Sequence, residues 1–273
     1  MISEGWRIKD IGIPIPFVSP ADLVAVAKEE SSKNKVAVYY AVGEIVDQPS
    51  QMNPLTGGGT NIVTMPTLRE LQKLRKDKDV KAVVLRVNSP GGSAFASEQI
   101  WREIQLLKKE KPVVVSMGGY AASGGYYISC GANKIVAEPM TLTGSIGIFG
   151  MFPDPSELIT QKIGVKFDGV KTNALSDFGA MGRPFNETES ALLQAYIEKG
   201  YDLFTGRVAD GRSMAQDSVK AIAEGRVWTG EQALSIFIQP PSVNELHRRL
   251  VARATDDAEQ IIQLAQTFHL YEE

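Results

Sequence analysis

Ser123 stands in the run Met117-Gly118-Gly119-Tyr120-Ala121-Ala122-Ser123-Gly124-Gly125-Tyr126-Tyr127, and its immediate neighbours, Ala121 to Gly125, carry no bulky side chain. A nucleophilic serine needs such surroundings if a substrate backbone is to lie against it. The glycines also let backbone N–H groups turn towards a developing oxyanion. A second glycine-rich turn, Asn88-Ser89-Pro90-Gly91-Gly92, follows the apolar run Ala82–Val87. One amide from each turn would build an oxyanion hole. The plain alternative is that Ser123 is a small residue packed at a tight helix start, because Gly-Gly beside Ser is common in ordinary turns.

A serine hydroxyl is a poor nucleophile at neutral pH and needs a base. The chain has two histidines, His247 and His269, both near the C-terminus and in no motif. A Ser–His–Asp triad is therefore disfavoured. The remaining option is a lysine whose pKa is lowered by burial, so that its neutral amine takes the serine proton. The run Thr141-Leu142-Thr143-Gly144-Ser145-Ile146-Gly147-Ile148 offers Thr143 or Ser145 to orient such an amine, or else forms a turn whose hydroxyls satisfy its own backbone. Gly91-Gly92-Ser93 lacks the Gly-Lys-Ser/Thr ending of a phosphate-binding loop. No His, Cys or carboxylate cluster has metal-ligand spacing, so neither metal nor cofactor is expected.

These residues must be held by α/β elements. Strands are predicted at Lys35–Tyr40, Ala82–Val87, Pro112–Val115 and Lys134–Ala137, and helices at Thr67–Lys78, Ser97–Lys109, Glu187–Val208 and Ser218–Ala223. That alternation predicts a parallel sheet buried on both faces. Further helices are predicted at Asp22–Glu30 and Asp256–Phe268. Along Glu187–Val208, Leu192, Leu193, Tyr196, Ile197, Tyr201 and Phe204 form an apolar stripe, fit for core packing or for contact with a partner.

With 273 residues, 43% apolar and 22% charged, the composition is that of a globular protein. The net charge of −3 gives no electrostatic footprint for nucleic acid. The single cysteine, Cys130, excludes an intrachain disulfide and reads as a small buried residue. No apolar run of about 18 residues and no signal-peptide pattern is present, so any membrane anchor is expected outside this sequence.

Taken together, Val87–Ser93, Ser116–Gly119, Ala121–Ser129, Ala132–Ala137 and Leu142–Gly147 resemble, in order, the motifs of the signal peptide peptidase A (protease IV) family of serine–lysine peptidases. The resemblance implies a crotonase/Clp protease-like α/β spiral of ββα units with a parallel sheet over residues 35–234. Residues 1–34 are then an unassigned N-terminal segment. Residues 235–273 form an atypical C-terminal segment ending in a helix. It further implies Ser123 as nucleophile, the Gly92 and Gly124 amides as oxyanion hole, and Ser145 as the residue positioning the lysine. The lysine itself departs from the pattern. Short family members carry it after a segment like Gly164–Phe167, and the best register puts Ser176 there, with Lys171 five residues early. The stretch looks like the C-terminal half of the long tandem form, whose N-terminal half supplies the lysine. The general base is thus left unassigned, with Lys171 a weak candidate. The resemblance implies a serine endopeptidase of released signal peptides, inactive alone and completed by the N-terminal half or a neighbour in a homo-oligomer. It also implies membrane association on the periplasmic or extracytoplasmic side. The alternatives are a catalytically incomplete structural half, or an acyl-CoA enzyme on the same fold.

Overall fold

The structure, a computed structural model, describes residues 34–49 and 61–237. The elements run β1 (Lys35–Val42), β2 (Glu44–Val46), β3 (Asn61–Val63), α1 (Thr64–Lys76), β4 (Val80–Ser89), α2 (Ala94–Glu110), β5 (Val113–Ala122), α3 (Gly124–Cys130), β6 (Lys134–Val136) and β7 (Leu142–Gly144). After a π-helical turn at Leu158–Ile163 come α4 (Glu187–Arg212), α5 (Gln216–Ile222), β8 (Val227–Thr229) and α6 (Gly230–Phe237). The proposed helices at Asp22–Glu30 and Asp256–Phe268, and both histidines, lie outside the described residues.

The main sheet has the order β1-β4-β5-β7-β8, with β6 also on β5. Every pairing is parallel except β7 with β8. Val83, Leu85, Val87, Val113, Val115 and Met117 of the two central strands are buried, as expected for a sheet covered by crossover helices. Ile100, Ile104 and Leu107 of α2 and Leu71 of α1 complete that core.

β5 runs longer than its apolar segment predicts, through Gly118 and Gly119 up to the residue before Ser123. Its first half pairs with β6 and its second half with β7, so two short strands share one flank. Gly118 permits this course: a Cβ there would lie 2.7 Å from Asn88 Oδ1. The register between β4 and β5 slips between Val87 and Ser89, which sets Ser89 beside Ala121. The C-terminal ends of β4 and β5 thereby open side by side. In parallel sheets, ligands bind beyond those carboxyl ends.

All four helices predicted within the described residues have shifted ends, by two or three residues in α1 (Thr64–Lys76) and one or two in α5 (Gln216–Ile222). α2 begins at Ala94 rather than Ser97, because Ser93 caps it by accepting the Ala96 N–H. α4 extends to Arg212, and its N-terminus carries a capping box between Asn186 and Glu189. Phe204, Thr205, Val208 and Ala209 of α4 are buried, whereas Leu192 and Tyr196 are exposed. The apolar stripe is therefore only partly a core stripe, because only the second half of α4 packs against its neighbours α3 and α5.

Candidate active site

The turn after β4 and the turn after β5 converge. A Cβ built on Gly91 would lie 2.6 Å from the Gly124 nitrogen and 2.8 Å from Ser123 Cβ, and one on Gly124 would lie 3.2 Å from the Gly92 nitrogen. Gly91 and Gly92 have φ of 104° and 145°, a region that glycine enters without the steric penalty of a side chain. Gly92 forms an isolated parallel bridge with Ile45, in which Ile45 N–H donates to the Gly91 carbonyl and Ser93 N–H to the Ile45 carbonyl. That pairing does not use the Gly92 N–H. The Gly124 N–H opens α3, so no preceding helical turn offers it a carbonyl. Among the described residues, neither amide has a hydrogen-bond acceptor.

Ser123 joins β5 to α3 with φ 51° and ψ −119°. This is a strained backbone for a residue with a side chain. Its N–H donates to the Gly144 carbonyl at 2.9 Å, and its carbonyl accepts the Tyr127 N–H at 2.8 Å. The sharp turn is thus held from both sides. It leaves the half-buried Ser123 facing two adjoining cavities.

The smaller cavity, 240 Å³, is bounded by Gly92, Ala94, Ser97, Tyr127, Phe149 and Phe204, among others. The larger, 730 Å³, is lined by Glu44, Gly91, Ser145, Ile148, Tyr201 and Glu224, among others. Ser123 and Gly92 line both, and Gly124 lines the smaller. Ser145, with φ 49°, donates its N–H to the Arg226 carbonyl at 2.7 Å, which ties it to the strand end at β8. The fold thus brings Ser123, Gly92, Gly124 and Ser145 together.

It does not bring Lys171 to them. Lys171 Nζ pairs with Asp177 Oδ2 at 2.5 Å on an exposed loop and lines neither cavity. Asp177 also accepts from Arg183 Nε at 2.9 Å, and Arg183 donates to buried Glu189 at 2.6 and 2.7 Å. Lys166 is exposed, and Ser176 sits in an exposed turn with its hydroxyl on the Asn173 carbonyl. Burial lowers the pKa of Lys108, but its ammonium donates to the Gly131 carbonyl at 2.8 Å, at the C-terminal end of α3. Seven helical residues, roughly 10 Å, separate that end from Ser123. Cys130 is buried, and burial pushes its thiol up to about 12, so it offers no thiolate. Among the described residues no lysine lines either cavity.

The sequence pattern around Ser123 did not point to Glu44, Ser97, Phe149, Phe204 or Glu224. Tyr127 alone had a local signal, one turn after Ser123 in a helix.

Comparison with known proteins fits this geometry. The profile of peptidase family S49 matches residues 105–237, and that of Clp protease matches residues 57–142. A putative protease of Synechocystis is 35% identical over 76% of this chain and 69% of its own length. The chain belongs to peptidase family S49. Its α/β fold with a mostly parallel sheet is Clp protease-like, as the resemblance implied. Protease 4 of Haemophilus influenzae is 44% identical over 85% of this chain, and a putative signal peptide peptidase of Enterococcus faecium 35% over 82%. The chain spans 36% of the former and 64% of the latter.

Proposed function

We propose that this S49 chain carries the nucleophile and oxyanion hole of a serine endopeptidase whose general base comes from outside the chain. Ser123 Oγ bonds to the carbonyl carbon of the scissile peptide while a neutral lysine amine takes its proton. The Gly92 and Gly124 N–H groups stabilise the oxyanion. The lysine then protonates the departing amine, and water hydrolyses the acyl-serine by the same route in reverse. Ser145, lining the cavity next to Ser123, orients the amine.

The observation that carries this reading is the strained Ser123 at the mouth of two cavities, with two unpartnered amides beside it. That no lysine among the described residues lines those cavities supports a base supplied in trans, by an N-terminal half of a longer protein or by another copy of the chain. The name of the Enterococcus faecium relative, a putative signal peptide peptidase, supports signal peptides as the substrate class. Membrane association on the periplasmic or extracytoplasmic side is part of the same proposal and follows from the family resemblance. Among the described residues no helix is long and apolar enough to span a membrane, so an anchor would belong to other segments.

The test compares the purified chain with its Ser123→Ala and Lys171→Ala variants, using a fluorophosphonate label and an apolar peptide thioester. The folded chain is expected to label slowly at Ser123, without thioester turnover. Lys171→Ala should label as wild type does. Turnover lost in Ser123→Ala would refute the missing base and direct attention to Lys171 and Lys166. Labelling unchanged in Ser123→Ala would refute the nucleophile.

A further inference from the structure

Three helices meet behind the smaller cavity. Tyr127 of α3 and Phe204 of α4 form one wall, their rings tilted by 31° with centroids 4.4 Å apart. The Tyr127 hydroxyl donates to Glu98 Oε2 of α2 at 2.6 Å. Arg207, one turn beyond Phe204, donates to Glu98 Oε1 at 2.7 Å and to Oε2 at 3.3 Å. Its guanidinium lies 4.1 Å from the centroid of the Trp101 ring. Glu98 therefore grips both halves of the aromatic wall, Tyr127 directly and Phe204 through the helix turn shared with Arg207.

Gly92, Ala94 and Ser97 also line the cavity. These residues have little side chain to move, and the Ser97 hydroxyl is fixed on the Ser93 carbonyl at 2.8 Å. The bulky side chains around the cavity are this wall pair and Ile148 and Phe149 of the segment after β7; Phe149 is exposed, so the buried wall is the fixed limit to the cavity's width. The first half of α4 is largely exposed, so a polar tether near Phe204 has a large share in placing that ring.

We propose that Glu98 and Arg207 are positioning residues: they fix the Tyr127–Phe204 wall and so restrict the residue on the acyl side of the scissile bond to one medium-sized apolar side chain. An apolar void of about 150 Å³ admits a benzene ring. The 240 Å³ present here, roughly 1.6 times that void, admits a leucine side chain and crowds a biphenyl group, which is about twice benzene in volume. This inference rests on the assignment of Ser123 as nucleophile.

The test uses N-acetyl tripeptide boronic acids that differ only in the residue bearing boron, leucine or biphenylalanine. Ser123 Oγ would bond to boron and release its proton to the buffer, so no lysine is needed at equilibrium. Calorimetric affinities are compared for the full chain, Glu98→Gln, Phe204→Leu and Ser123→Ala, each checked for folding by circular dichroism. Wild type should favour leucine by about 10-fold or more, the range that pocket shape gives. Glu98→Gln should bring that ratio close to unity. Phe204→Leu, which opens the same wall without touching the ion pair, should do likewise and decides the matter if Glu98→Gln does not fold. A folded Glu98→Gln that weakens both ligands equally, or leaves the ratio unchanged, overturns the proposal. So does a wild type with no preference or no binding. Ser123→Ala binding as tightly as wild type would refute the nucleophile instead.

Discussion

Gly124→Ala tests how closely the two turns are pressed together. The new methyl would lie 2.6 Å from Ser97 Oγ, with Gly91 Cα and the Gly92 nitrogen each at 3.2 Å. Overpacking of this kind costs about 1–3 kcal/mol, against a gain of about 0.4–1 kcal/mol from stiffening the unfolded chain. The net expectation is a loss of about 1–2 kcal/mol. Ser97→Ala removes the closest atom. Alone it loses one hydrogen bond to the Ser93 carbonyl, which keeps the Ser97 N–H as donor, so about 1 kcal/mol or less is expected. If the clash is with that oxygen, the double variant is more stable than the sum of the singles by about 1 kcal/mol. Urea unfolding followed by circular dichroism measures all four corners of the cycle. Additivity to within about 0.5 kcal/mol, the usual behaviour of independent sites, would refute the reasoning. Fluorophosphonate labelling of Ser123 adds a second reading. It should slow in Gly124→Ala and recover in part in the double variant, because the Gly92 and Gly124 amides are the groups pushed apart.

Ser123→Gly should abolish labelling yet raise stability by about 1 kcal/mol in urea unfolding, since glycine relieves a backbone strain of about 1–3 kcal/mol at the price of greater unfolded-state freedom; a destabilised variant would show that the turn is unstrained. Hydrogen bonds from Arg183 and from the Asn186 N–H hold the Glu189 carboxyl at about 2. A depressed acid stabilises the fold above its unfolded pKa, and that contribution is lost as pH falls through the folded value. The wild type should therefore lose stability relative to Glu189→Gln between about pH 4.5 and 2, measured as urea midpoints; parallel pH profiles would contradict this.

Much of the site was readable because its signals are local. Alternating and continuous runs of valine marked β1, β4 and β5, and small residues marked the two turns where side chains would collide. The length of β5 was not readable. Gly118 and Gly119 look like a turn by composition, and they remain in a strand because the Asn88 side chain fills the space where a Cβ would project. The exposed half of α4 was hidden for a related reason. A stripe at helical spacing shows which face is apolar, but not how much of it meets the core.

By itself the sequence determined that a serine and several glycines follow apolar strands, that neither histidine stands in a motif with that serine, and that these runs resemble a family of serine peptidases. Only the tertiary structure decided that the turns after β4 and β5 press against one another, because parallel strands join residues far apart and a single register slip sets which ends align. It also drew Glu98 to Arg207 across 109 positions of sequence and put Phe204 beside Ser123. And it held Lys171 on Asp177, away from the cavities, a placement set by charge pairing in a loop whose sequence alone kept that lysine in contention.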